Sequence, residues 1–409
     1  MRRSMHVALR RSLVALLGAV VLMGGCDDGD PNEASRRAPA PEVRTASDPA
    51  RDAGEPGAEE QTVGAPPGKA VAPAVDPGVA ALIERLGSPR ADERIAAAEA
   101  LAAMKEKAAP AVDVLAGLLD DAEASVRAAA ARALGWIGRA ASPAAEPLMD
   151  LLDDPAVEVR ERAAFALGRL DPHAAAPAVE KLIALLQTDV VEVRRRAATA
   201  LGPLGATDPQ AVLPVLTAAT RHADAGVRNE AVLALKALGP DARSAAPAIA
   251  AVVTGEADAR VRKHAALTLG RIDPDPAVAV PALIRGMSDP HEKTRFESIL
   301  SLSMLGADAV AATPALVAAL NDPVERIRNV AVPLALRRIG TAAVPRLAAI
   351  VRDDDDPHRP RAVMALRILG TRDAEVVALL REAARDGDPR VRQATQAPLP
   401  RGATAVVRP

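Results

Sequence analysis

EVRERAAFALG, residues 158–168, is the stretch on which the fold turns, because the chain repeats it. Residues 125–135 read SVRAAAARALG, residues 192–202 read EVRRRAATALG, and residues 260–270 read RVRKHAALTLG. The arginine in third place recurs as Arg94, Arg127, Arg160, Arg194, Arg228, Arg262, Arg295, Arg328, Arg359 and Arg392. Successive gaps are 33, 33, 34, 34, 34, 33, 33, 31 and 33 residues. A sustained period of this length marks a solenoid, in which each unit buries its apolar face only by stacking on its neighbours.

On a helical wheel centred on that arginine, the apolar positions −1, +3, +4, +7 and +10 gather on one face, with the arginine at its edge. Upstream of each arginine lies a second apolar run at helical spacing, such as Leu182, Ile183, Leu185 and Leu186. It opens near a proline (Pro110, Pro143, Pro177, Pro214, Pro247, Pro281, Pro314 or Pro345), a residue suited to a first helical turn. An acidic turn, often Asp-Pro as at Asp154-Pro155 and Asp289-Pro290, joins the two helices. Gly138, Gly205, Gly239, Gly306 and Gly340 follow the second helix, where glycine can take a left-handed cap.

Composition agrees with an all-helical reading. Aromatics are 1% of the chain against 49% apolar residues overall, so the core must be built from Ala, Leu, Val and Ile. Strand-rich folds need more aromatic and β-branched residues. The expected class is therefore all-α, an α-solenoid coiled as a right-handed superhelix of about ten helix pairs. The motif DPxxxVRxxAAxALG resembles HEAT repeats of the phycobilisome-lyase-like subfamily, over about 330 of the 409 residues. Tetratricopeptide repeats need large aromatics that are absent, ankyrin repeats carry a TPLH turn, and armadillo units are longer.

The first 25 residues read as a signal peptide. Arg2, Arg3, Arg10 and Arg11 are followed by SLVALLGAVVLM at 12–23, too short to span a bilayer and suited to a signal-peptide core. Gly24-Gly25-Cys26 resembles the lipobox of bacterial lipoproteins, although Met23 stands where Leu is usual. That resemblance implies cleavage before Cys26, its lipidation, and a place in the cell envelope on the periplasmic or extracytoplasmic side. Asp27 follows at once, a residue that keeps some lipoproteins at the inner membrane. Residues 26–77 read as the lipidated cysteine and a disordered tether rich in Pro, Ala and acids. Residues 27–77 hold nine prolines, no aromatics, 11 acids and five bases. The solenoid is expected over 78–397 and a disordered tail over 398–409.

Residues 78–409 balance 42 acids against 42 bases, which argues against nonspecific nucleic-acid binding. The position six before the repeated arginine is acidic in seven of ten units (Asp121, Asp154, Glu256, Asp289, Asp322, Asp353, Asp386), so the expected role of the arginine row is a tie within each unit. Positions +1, +2, +5 and +9 face away from the core, and HEAT folds expose such positions on a concave surface. There the sequence places Arg132, Trp136, Arg162, Phe165, Arg169, Arg195 and Arg196. These are candidate partner-binding residues, since aromatics and arginine dominate interface energetics. The competing reading is that Trp136 and Phe165 fill gaps between units. Phe296 and Met304 mark a second patch of the same kind.

Catalytic chemistry finds little support. The histidines are dispersed, and His291-Glu292 is the one His-Glu step. Deoxyhypusine hydroxylase, another HEAT-like protein, binds iron through several such steps. The run Asp353–Asp356 reads as a solvated turn. No cofactor and no metal are expected. The function expected is a lipid-anchored envelope scaffold for a protein partner, the alternative being an enzyme or cofactor-handling protein of the HEAT-like lyase or hydroxylase type. Anchoring is tested directly: Cys26→Ser is expected to move the protein from the detergent phase to the aqueous phase in a phase-partition experiment, and to remove acyl mass from a mature chain beginning at residue 26.

Overall fold

The computed structural model describes residues 76–370 and 373–399. The signal peptide, Cys26, the tether to residue 75 and the tail from residue 400 lie outside the described residues. Ten helix pairs follow one another. Their first helices are α1 (Pro77–Leu86), α3 (Val112–Gly117), α5 (Ala145–Asp150), α7 (Val179–Thr188), α9 (Pro209–Ala219), α11 (Ala246–Gly255), α13 (Pro276–Gly286), α15 (Thr313–Ala319), α17 (Val344–Arg352) and α19 (Ala374–Ala383). Their second helices are α2 (Ala91–Met104), α4 (Ala124–Ile137), α6 (Val157–Leu167), α8 (Val191–Leu204), α10 (Ala225–Leu238), α12 (Ala259–Arg271), α14 (Glu292–Leu305), α16 (Val332–Ile339), α18 (Arg359–Leu369) and α20 (Pro389–Ala394). No strand occurs among the described residues. The chain is an α-solenoid.

The wheel positions place the core. Leu101, Leu134, Leu167, Leu201, Leu235, Leu269 and Leu302, all at +7, are fully buried. Each contributes about 1.5–3 kcal/mol over an exposed position. Alanine fills +3 in eight units and +4 in five, as at Ala130, Ala131, Ala163 and Ala164, so consecutive second helices pack closely. The glycine of the ALG step, at +8, sharpens this. A Cβ built on Gly168 would lie 2.7 Å from the Ala200 Cα, and one on Gly270 would lie 2.9 Å from the Ser301 Cα. Among the described residues no large apolar side chain is exposed in the first or last unit.

Two sequence expectations need correction. Pro214 and Pro281 sit inside α9 and α13; those helices begin at Pro209 and Pro276, capped by Asp208 and Asp275 accepting from the Ala211 and Ala277 N–H groups. Gly205 has φ −62° rather than a left-handed conformation. Here the glycine serves packing, since a Cβ would meet the Leu238 Cδ2 at 2.8 Å. The stretch Glu292–Ala319 has the length and apolarity of a membrane span, but Gly306 at φ +62° divides it between two units.

Gly138, Gly239, Gly306 and Gly370 stand 11 residues after the repeated arginine, all with positive φ. Gly340 stands 12 after Arg328, because a π turn at Ile327–Ala331 inserts one residue ahead of Pro333. At the same register unit one carries Lys105, with φ 52° and ψ −131°. A residue with a Cβ is strained there. Lys105→Gly is expected to stabilise the fold by about 1 kcal/mol, read as a raised midpoint in urea; an unchanged or lowered midpoint would show that the backbone at 105 is not strained.

Candidate functional site

The repeated arginines form a continuous network, but not the one the spacing suggested. Arg127 Nη1 donates to the Asp121 carbonyl six residues earlier, at 2.7 Å. Its Nε and Nη2 donate instead to the Asp154 carboxylate, in the next unit, at 2.8 and 3.1 Å. Arg160 repeats this with the Asp154 carbonyl (2.8 Å) and the Asp189 carboxylate (2.7 Å twice). So do Arg94 with Asp121, Arg228 with Glu256, Arg262 with Asp289, and Arg295 with Asp322. Arg359 reaches Asp386 and Asp354. The carboxylates also hold their own turns: Asp154 accepts from the Ala156 N–H and Asp289 from the His291 N–H, both at 2.8 Å. Each of these acids is thus a node between two units, and the expected tie within one unit is a tie between neighbours; Asp353 is the acid of the repeat that the preceding unit's arginine, Arg328, does not reach.

This accounts for the three positions that lacked an acid. Ser88 has no repeated arginine before it to serve. Opposite Arg160 the acid has moved one place, from 188 to Asp189. Opposite Arg194 stands His222, whose Nε2 lies 2.8 Å from Arg194 Nη1 while its Nδ1 accepts from the Asp224 N–H at 3.0 Å. A neutral imidazole offers one acceptor, and both neighbours are donors. Arg194 Nε is buried there without a partner. Arg328 bonds only the Asp322 and Pro323 carbonyls among the described residues, and Arg392 only the Asp386 and Gly387 carbonyls.

The electrostatics follow the geometry. The Arg160 guanidinium pulls the Asp189 carboxyl below its usual range, and Arg228 does the same to Glu256. For Asp154, Asp289 and Asp322 burial is the largest influence and pushes upward. Hydrogen bonds from the guanidinium and a backbone N–H, together with the nearby charges, outweigh it, so these carboxyls also end low. The arginine partners are raised.

The second constellation lies on the face presented by α4, α6 and α8. Trp136 and Phe165 are half-buried, with ring centroids 5.5 Å apart and planes tilted by 57°. The Arg169 guanidinium lies 4.9 Å from the Trp136 centroid and 5.6 Å from that of Phe165. Arg196 stands 5.7 Å from Phe165, and Lys105 stands 6.0 Å from Trp136. Phe165 packs on Gly135, where a Cβ would fall 2.7 Å from the ring. The rings therefore fill a gap between units on one side and show the other to solvent. Arg132, Arg162, Arg195 and Arg196 pair with Glu99, Glu158, Asp224 and Glu161. The Arg195 bond is the chief reason the Asp224 carboxyl falls to about 2. The sequence signalled this cluster through the wheel, except for Lys105, which lies outside the repeated motif. Phe296 is half-buried under Arg326, 4.1 Å from its centroid, and Met304 is half-buried nearby on α14. Among the described residues no cluster of three or more His, Cys, Asp or Glu could hold a metal.

The chain belongs to the HEAT-repeat family: the family model matches residues 79–168, 145–236, 179–255, 246–336 and 313–398. Among solved structures it is similar to an engineered protein, at 23% identity and TM-score 0.51, over 78% of this chain and 97% of that one. Importin beta is similar at 19% identity and TM-score 0.47, over 78% of this chain and 50% of that one. The CpcE–CpcF phycocyanin lyase complex of Nostoc is similar at 26% identity and TM-score 0.38, over 61% of this chain and 98% of that one. These likenesses concern the fold. No curated protein matches the chain.

The network can be cut and mended. Arg160→Ala leaves Asp189 without its charge partner and is expected to cost about 1–3 kcal/mol, whereas His222→Asp supplies a carboxylate to Arg194 and is expected to raise the melting temperature. Folded-state pKa values are depressed, so this stability is fully present above about pH 4 and is lost as pH falls through the depressed values. Urea midpoints measured from pH 7 to pH 2 check both. An Arg160→Ala midpoint that drops with acid as steeply as wild type would contradict the pairing.

Proposed function

We propose that the protein is a non-catalytic scaffold, held at a membrane of the cell envelope through lipidated Cys26, that binds a protein partner on the face carrying Trp136 and Phe165. The observation that carries this reading is the aromatic pair itself. Two of the three aromatics of the whole chain meet on one outward face, beneath arginines, while the other large apolar side chains at the core positions are buried. HEAT-type surfaces commonly bind proteins, and aromatics with arginine supply most of the energy at such interfaces. If residues 27–77 act as the flexible tether that their composition suggests, they would reach about 40 Å, enough to hold this face away from a bilayer.

Trp136→Ala with Phe165→Leu keeps an apolar contact on Gly135 and is expected to lower partner capture from detergent-solubilised membranes by about tenfold or more, with circular dichroism unchanged. Full capture by a folded variant would place the interface elsewhere. Metal analysis and a visible absorbance scan of the purified protein test the enzyme or pigment-handling alternative; stoichiometric metal or a bilin band would favour it.

A further inference from the structure

We infer that the Trp136 face docks an acidic peptide segment of its partner, whose carboxylates are taken up by Lys105 and Arg169 beside the indole ring. This rests on the binding reading above and names the partner's chemistry. Four arginines of the face each have a carboxylate of their own. Lys105 and Arg169 have none among the described residues, and these two converge on the Trp136 ring, with Lys105 Nζ at 6.0 Å and Arg169 Cζ at 4.9 Å. Both side chains are exposed. Arg169 donates its Nε proton to the Gly135 carbonyl at 2.8 Å, which fixes the guanidinium plane and leaves both terminal amino groups to face a ligand. A fixed fork of two N–H groups suits a carboxylate.

A second observation points to the same place. Lys105 stands at φ 52° in the register where four other units have a glycine at positive φ and unit six has Asp273 at φ 49°, so the chain keeps a strained backbone where glycine would relax it. Strain retained at a surface position is reason to look for what the side chain does. What it does here is bring an ammonium group to the ring from the neighbouring unit. The positive charge is local, because residues 78–409 are balanced overall. A nucleic acid or an anionic bilayer would call for a broad basic surface. An acidic peptide needs only this pair of cations with aromatic surface beside them.

Trp136 is the one tryptophan of the chain, so its emission reports on this site alone. The full-length protein in detergent is titrated with a polyglutamate peptide of about ten residues. A saturable change in emission is expected, weakened as salt rises from about 50 to about 500 mM. Arg169→Gln and Lys105→Gly should each weaken binding by about tenfold, the scale of one charge-assisted hydrogen bond. Lys105→Gly relaxes the backbone, so unfolding cannot explain its loss of binding. No emission change, equal binding by both variants, or the same change with inorganic phosphate at matched ionic strength would overturn the acidic-peptide site. So would a salt-dependent emission change without peptide that Arg169→Gln abolishes, which would give the face to the chain's own acidic residues 27–77. If Arg169→Gln and Lys105→Gly still capture the partner while Trp136→Ala with Phe165→Leu does not, the scaffold reading stands and the acidic-peptide site falls. Capture by all three would remove both.

Discussion

A guanidinium that reaches from one unit to the turn of the next is the bond on which the register of this solenoid depends. Apolar packing between Ala- and Leu-rich helices is strong but undirected, and helices faced with small side chains can slide past one another. The arginine removes that freedom. It bonds its own turn through a carbonyl and the neighbouring turn through a two-pronged carboxylate contact, while that carboxylate closes its own turn. The side chains involved are largely covered, Arg127 at 15% and Asp154 at 5% exposure, so water competes poorly for either partner. A single such pair adds little net stability after desolvation. Repeated at one register along the array, it fixes how far and at what angle each unit follows the last.

The network is interrupted twice. Between units four and five the carboxylate is replaced by His222, and Arg194 is left with a buried, unsatisfied Nε. Between units eight and nine Arg328 reaches only carbonyls among the described residues, in the same helix that carries the π turn and Pro333. Proline has no N–H to give the fourth carbonyl before it, and the π turn lies at that place. The extra residue shifts the later positions of that helix, although the next repeat arginine arrives after 31 residues rather than 33 or 34. Packing persists across both junctions, since Leu204, Leu235, Leu336 and Leu366 remain fully buried. What those junctions lack is the directional tie.

The period, the ten units and the buried positions were legible in the sequence because a 3.6-residue helix repeats the same face whatever its neighbours do. The partner of the arginine was not. An acid six residues before one repeated arginine is also about 27 after the previous one, so periodicity alone cannot say which pairing is real; only the stacking direction does. Gly205 misled for a related reason. Glycine is used for a positive φ and for close approach, and the residue looks the same in both. Pro214 and Pro281 misled because Asp208-Pro209 and Asp275-Pro276 start their helices one turn earlier. On the face of α4, α6 and α8, the wheel found Trp136 and Phe165 by counting along single helices. Lys105 comes from the end of the preceding helix, and its approach to Trp136 exists only after the units stack.

The same ion-pair chemistry stands at two depths. Ladder arginines such as Arg160 and Arg295 are 16% and 12% exposed and meet carboxylates that are 8% exposed. Breaking such a pair strands a charge away from water, so no incoming ligand can compete for it at reasonable cost. On the face, Arg132, Arg195 and Arg196 are 40–44% exposed. Exposed pairs of that kind are held by about 0–1 kcal/mol and exchange partners readily. The acidic segment proposed to dock at Trp136 would meet two cations without carboxylates among the described residues and, around them, arginines whose own carboxylates are weakly held. Under the binding proposed above, the ladder would stay untouched, so the residues of this face could vary from unit to unit while the backbone that carries them does not.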